Sequence, residues 1–199
     1  MRRVNLIIMV LVMLLSTEVF ARRTPEHTQD FAGIAFGSSR ETVIEEVMKM
    51  GYQPYGQSGK EGERVVVPIF KFGELPVQVD FIFNSNEKFC SFEIRTGRVE
   101  RARMSKAFEA VEYMSDQFTL KYGKPNSNPR IDEDSHLKEG VRNFFLEWLS
   151  VSTLDINTAV VQLEGRYFAV GTVTHRVLTN EKQKGSAPAK AKTSNAPVF

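Results

Sequence analysis

The sequence predicts an α+β fold: tandem helix-βββ units whose strands form an antiparallel sheet, with the helices packed on one face. Three observations carry that expectation. Two segments repeat apolar residues at three- and four-residue spacing, Val43 to Met48 and Met104 to Tyr122, which is the helical period. Each is followed by three segments in which apolar residues alternate with polar ones or run together, as strands do. The joining turns are short, so successive strands must run antiparallel.

The chain has 199 residues, and its opening reads as a secretory signal peptide over residues 1–21. Arg2 and Arg3 supply positive charge, Leu6 to Leu15 form an apolar run, and Val19-Phe20-Ala21 places small residues around a cut before Arg22. The apolar run is half of the roughly 20 residues a membrane-spanning helix needs. Cleavage is therefore expected, with retention as an uncleaved anchor the alternative. No cysteine stands near the cut, so no lipid anchor is expected, and no stable membrane anchor remains after cleavage. The expected location is the periplasm or the exterior. Roughly 180 residues would remain, enough for one domain without staples. The net charge of +2 predicts no nucleic-acid partner. Cys90 is the single cysteine, which excludes an intrachain disulfide.

Taken in order, residues 22–30 are polar and proline-bearing, a flexible lead-in. Ser38-Ser39-Arg40-Glu41 fits a capping box with Ser38 as the cap. The helix behind it carries Val43, Ile44, Val47 and Met48 on one stripe and stops at Gly51. Gly56 to Gly62 reads as a loop. Val65 to Phe72 is a strand with an edge or bulge at Pro68, because proline cannot donate to a ladder. Val77, Val79, Phe81 and Phe83 alternate with Gln78, Asp80 and Asn84. Asn84-Ser85-Asn86-Glu87 is a hairpin turn, and Cys90, Phe92 and Ile94 then oppose Ser91, Glu93 and Arg95. The long helix is expected from about Val99 to Tyr122, ended by Gly123 and Pro125. Three more strands follow: Phe144 to Leu149, Ala159 to Glu164, and Tyr167 to Val177, with Glu164-Gly165-Arg166 turning between the last two. Residues 31–178 thus form one domain of two helix-βββ units. Residues 179–199 lack periodicity and read as a disordered basic tail.

The stretch Phe31-Ala32-Gly33-Ile34-Ala35-Phe36-Gly37-Ser38-Ser39-Arg40-Glu41-Thr42-Val43 resembles the entry into exported modules built from a capped helix and a three-stranded meander. Leu120-Lys121-Tyr122-Gly123-Lys124-Pro125 is similar to the helix-ending signature of such modules. The pattern over residues 31–178 resembles the SmpA/BamE-like outer-membrane assembly proteins and the tandem-module β-lactamase inhibitor proteins. The chain lacks the lipid-bearing cysteine of the former and has a longer second helix. The resemblance implies a non-enzymatic role, binding other proteins across an exposed sheet face.

Chemistry is sparse in the sequence. The three histidines, His27, His136 and His175, are scattered, and no nucleophile elbow, P-loop, His-Glu-x-x-His or paired-cysteine spacing occurs. No catalytic residue, metal site or cofactor is assigned. Asp132, Asp134 and His136 are the weak candidates for metal ligation, since alternate oxygen ligands on a loop can wrap Ca²⁺. Arg95, Arg98, Arg101, Arg103 and Lys106 cluster at the start of the long helix, where the helix dipole disfavours positive charge. The expected function is a non-enzymatic protein-interaction module of the bacterial cell envelope. Its partner would be another envelope protein, contacted by Gln78, Asp80, Ile82, Phe89 and Tyr167 if the sheet face is open. The alternatives are a small-ligand binder with Phe145, Trp148 and Tyr167 lining a pocket, and a metal-dependent envelope hydrolase at the Asp132 loop.

Overall fold

The structure, a computed structural model, describes residues 29–59, 62–129, 131–132 and 136–181, and only the backbone of 56–59 and 62–63. The expected signal peptide, most of the lead-in, Asp134 and the tail beyond Glu181 lie outside the described residues.

The elements are β1 (Asp30–Phe31), β2 (Ile34–Ala35), α1 (Arg40–Lys49), β3 (Tyr55–Gly59), β4 (Gly62–Phe72), β5 (Leu75–Phe83), β6 (Phe89–Arg95), β7 (Val99–Glu100), a 3-10 turn (Arg101–Arg103), α2 (Met104–Tyr122), β8 (Arg142–Val151), β9 (Leu154–Leu163), β10 (Arg166–His175) and α3 (Arg176–Thr179). The chain is α+β. β1 and β2 pair with each other, and the long strands form one antiparallel sheet in the order β3-β4-β5-β6-β10-β9-β8, with β7 added to β10. Four strands of this sheet, not three, lie between α1 and β7. The two halves meet where β6 pairs with β10, with Ile94 opposite Gly171 and Phe92 opposite Val173.

Local chemistry explains most element ends. α1 is capped by Ser39 rather than Ser38: the Ser39 Oγ accepts from the Thr42 N–H at 3.3 Å, while the Ser38 hydroxyl donates to the Ala35 carbonyl at 2.7 Å. The far end closes as a Schellman motif, with Gly51 at φ 87°, its N–H on the Met48 carbonyl and the Tyr52 N–H on the Val47 carbonyl. Val43 and Val47 are buried, but Met48 faces solvent, so the apolar stripe of α1 is narrower than its sequence suggests. Pro68 sits at a register shift between Val67 and Phe70, beyond the last pairing of β4 with β3. It is therefore both at an edge and in a bulge, where its missing N–H costs no ladder bond.

Three expectations are corrected. The loop expected over Gly56–Gly62 is instead the hairpin of β3 with β4, held by pairing to Val65 and Val66 rather than by strand propensity. The long helix starts at Met104, because Val99 and Glu100 pair with Tyr167 and Arg166 and a 3-10 turn follows. The first turn of α2 holds no acidic residue and no side-chain cap, so nothing favours an earlier start. Finally, a bulge between Phe144 and Leu146 puts Phe144 opposite Ala159 and Leu146 opposite Thr158. The even-numbered residues of β8 therefore do not share a face.

The core lies between the sheet and the helices. α1 contributes Val43 and Val47, α2 contributes Val111, Met114 and Phe118, and the sheet contributes Val79, Phe81, Phe92, Ile94, Ile156, Val160 and Val173 to one buried cluster. The phenylalanines interlock, with Phe31 and Phe92 at 4.1 Å and Phe36 stacked on Phe89 at 4.8 Å between ring centroids. Trp148 meets Phe118 edge-on and donates its indole N–H to the Gly123 carbonyl at 2.6 Å. A buried polar link ties helix to sheet: the Ser115 hydroxyl lies 2.7 Å from that of Thr158. Helix and sheet approach closely at Gly171, where a Cβ would stand 3.0 Å from Phe118 of α2 and 3.0 Å from Ile94 of the neighbouring strand.

Filling that space should be costly. Gly171→Ala is expected to lower stability by about 1 kcal/mol and Gly171→Val by about 3 kcal/mol, the usual scale of overpacking. Urea denaturation of the two variants checks both values and their order.

Candidate functional site

Period-two alternation turns every second side chain away from the helices. On that outer face Asp80 is in register with Val66 and Glu93, and the row continues through Thr172 and Asn157 to Glu147. The row is polar at its centre. Asp80 is only 1% exposed, because other side chains cover it. Its Oδ2 accepts from Arg95 Nη2 at 2.6 Å and from Arg64 Nη1 at 3.3 Å, and its Oδ1 accepts from Gln78 Nε2 at 2.6 Å. One carboxylate therefore organises two guanidinium groups. Glu93 pairs with Arg142, which stands three strands away on β8. Flat strands would separate those backbones by about 14 Å across the sheet alone, so the sheet's twist draws this diagonal together. The Asn157 Oδ1 and Thr172 Oγ1 atoms are buried and have no hydrogen-bond partner among the described residues.

Below the row the face becomes apolar. Phe168, Val170 and Val161 form a small second cluster with Leu163 packed against it. Beside them opens a cleft of about 610 Å³, lined by Tyr55, Pro68, Ile69, Arg95, Arg98 and Phe168 among others. Ile69 is 74% exposed, pushed outward by the β4 bulge. The Arg98 guanidinium lies over the Phe168 ring, 5.7 Å from its centroid, within cation–π range. The loop between β6 and β7 is pinned by Thr96, whose N–H donates to the Ala169 carbonyl and whose Oγ1 accepts from the Ala169 N–H, both at 3.0 Å.

Known proteins offer no guide to this surface. No family model, curated protein or solved structure matches the chain.

The sequence-selected contact residues divide. Gln78 and Ile82 lie on the outer face and are half-buried. Asp80 is on that face too but is sealed beneath its arginines. Phe89 and Tyr167 are buried in the helix-side core instead, which corrects the expectation that they are exposed. For Phe89 the cause is a register shift beside Phe83 that leaves Cys90 as the extra residue. For Tyr167 it is the two-residue turn at Glu164-Gly165, which pairs Leu163 with Arg166 and Tyr167 with Gln162. Phe145, Trp148 and Tyr167 pack into or against the core rather than around a ligand space. Asp132 and His136 are described while Asp134 is not, and among the described residues no three His, Cys, Asp or Glu gather as a metal site. Arg64, Arg142, Tyr55, Ile69 and Phe168 were not singled out by the sequence. The alternation of Glu93 and Arg95 on the polar side of β6 was the one signal pointing there.

Two other titratable groups lie at the end of the sheet. Burial raises the Cys90 thiol above its ordinary range, so it is a poor thiolate source. His175, buried at the end of β10, caps α3 by accepting the Leu178 N–H on Nδ1 at 3.3 Å, and its Nε2 lies 3.1 Å from the Thr153 hydroxyl. Burial holds its imidazole below the ordinary value of 6.5. The unfolded chain therefore takes up that proton first as pH falls. The stability contributed by the neutral ring is complete above about 6.5 and is lost as pH drops through the lowered folded value.

Two outcomes are expected. Asp80→Ala, which leaves two guanidinium groups without their carboxylate, should destabilise the chain by about 3 kcal/mol in urea denaturation. Between pH 7 and pH 5, the stability of the wild-type chain should fall more steeply than that of His175→Asn, whose side chain can still cap α3.

Proposed function

We propose that the chain is a non-enzymatic, exported protein-interaction module of the cell envelope, and that its partner seats on the outer face of the sheet. One observation carries the docking surface: the cleft with exposed Ile69 and half-exposed Tyr55 beside Arg98, on the sheet face that no long helix covers. Apolar side chains gathered in a concave, charge-rimmed surface favour contact with another molecule. Two carboxylates of the face, Asp80 and Glu93, are tied into ion pairs. That arrangement displays a fixed charge pattern, which suits recognition. Export and the envelope setting rest on the signal-like residues 1–21. The resemblance to the SmpA/BamE-like and β-lactamase inhibitor families, and the tandem helix-βββ origin it implies, rest on the repeated helix-then-strands order, with β3 as an addition to the first unit.

A second reading, small-ligand binding, draws on an adjoining space that shares Pro76, Thr96, Gly97 and Arg98 with the cleft. A cavity of about 510 Å³ lies between the β4–β5 turn and the start of α2, lined by Leu75, Val99, Ala107, Ala110 and Tyr113 among others. Its apolar wall with the Tyr113 hydroxyl at one side has the composition of a ligand pocket.

Site-specific photo-crosslinking separates outer face from helix face. With the full chain in its native envelope, a crosslinker at Ile69 should give one discrete protein adduct, and crosslinkers at Met48 and Leu120 should not. Adding Arg98→Glu should weaken the Ile69 adduct. No adduct at Ile69, or equal adducts from all three positions, would overturn the reading.

A further inference from the structure

The cleft on the outer face has a lopsided charge. Its described lining includes two guanidinium groups, Arg95 and Arg98, and no carboxylate. Asp80, the counter-charge of Arg95, is buried beneath it and does not line the cleft. Arg95 spends Nη2 on Asp80, while its Nε is buried without a hydrogen-bond partner among the described residues. The side chain is still 33% exposed, so an anion in the cleft can reach it. Arg98 is held less tightly still. Its nearest acid, Glu164, stands 3.8 Å away and is 80% exposed, beyond hydrogen-bond length and worth little as a surface pair. The Phe168 ring, not an acid, fixes its position. Between the two arginines, Gly97 leaves open space where a Cβ would point, so a ligand can pass along the loop without a steric block.

The walls say what else the occupant carries. Ile69, Pro68, Tyr55 and Phe168 are apolar or aromatic surfaces that a bare anion would not use. Lined this way, the cleft matches a chain segment with acidic and apolar side chains in alternation.

Resting on the protein-partner reading above, we propose that this cleft binds an extended acidic segment of the partner, with carboxylates on Arg95 and Arg98 and an apolar side chain against Ile69 and Tyr55. Arg95 is pre-oriented by Asp80, so little side-chain freedom is lost when a carboxylate arrives. Arg98 exchanges its weak contact with Glu164 for a desolvated one. Both contacts are charge-assisted and suited to bidentate geometry.

Fluorescence anisotropy with the full chain tests this, using a labelled peptide that alternates glutamate with leucine and a counterpart with glutamine in place of glutamate. The acidic peptide should bind at least about tenfold more tightly, as expected when charge-assisted bonds are replaced by neutral ones. Arg98→Ala, at a side chain 46% exposed and so tolerant of change, should lose about tenfold for the acidic peptide and little for the other. Ile69→Ser should weaken both peptides alike. Equal affinity for the two peptides, or no effect of Arg98→Ala, would overturn the proposal. So would full competition by inorganic phosphate combined with no effect of Ile69→Ser, since the site would then hold an anion alone. If the peptides fail while the Ile69 crosslink persists, the acidic-segment proposal falls and the protein-partner reading stands. If the Ile69 crosslink is absent, the partner reading itself falls.

Discussion

Phe118 of α2 presses onto the centre of the sheet at Gly171, and the rest of the architecture follows from how close that approach is. With no side chain at that position, the helix settles against β10 and β9 near enough for Ser115 to reach Thr158 and for Trp148 to reach the backbone at the end of the helix. That seating also packs the ring of Phe118 against Trp148, Tyr122 and Phe72. Because β10 joins β6 at this point, the contact also unites the two halves of the chain in one core. A phenylalanine-rich interior can be dense only if its rings find such tilted and edge-on partners.

Committing one sheet face to that core has a consequence on the other. The outer face must satisfy polar groups without help from a covering helix, and it does so by layering. Asp80 lies deepest, Arg64, Arg95 and Gln78 close over it, and Arg142 reaches across the twist to Glu93. Such networks are costly to bury and are weak sources of stability against an apolar alternative. Here the network holds guanidinium groups in place beside an apolar cleft next to the Pro68 bulge. Packing on one side thus leaves the polar network and the cleft to the other.

Much of this arrangement is legible in the residues and some is not. The alternation of Val77, Val79, Phe81 and Phe83 identifies the core side of β5 directly, as the stripe Val111, Met114 and Phe118 does for α2. Gly51, Gly123 and Pro68 punctuate the chain where the structure has a helix end, a helix end and a bulge. Phe89 and Phe144 are harder, since each sits beside a register shift that reverses the face its neighbours predict. Strand β3 is invisible for a different reason: Tyr-Gly-Gln-Ser-Gly has no strand preference and pairs only because β4 offers it an edge.

The sequence by itself determined the α+β class, the place of α1, the end of α2 and the division of β5 and most of β6 into an apolar and a polar side. These follow from periodicity and local capping, which act over a few residues. Only the tertiary structure decided that Asp80 is sealed, that Arg95 and Arg98 share a cleft free of carboxylates among its described lining, and that Arg142 meets Glu93. Those facts depend on register, bulges and sheet twist, each of which moves a side chain across a face or across several strands. No local pattern encodes that displacement.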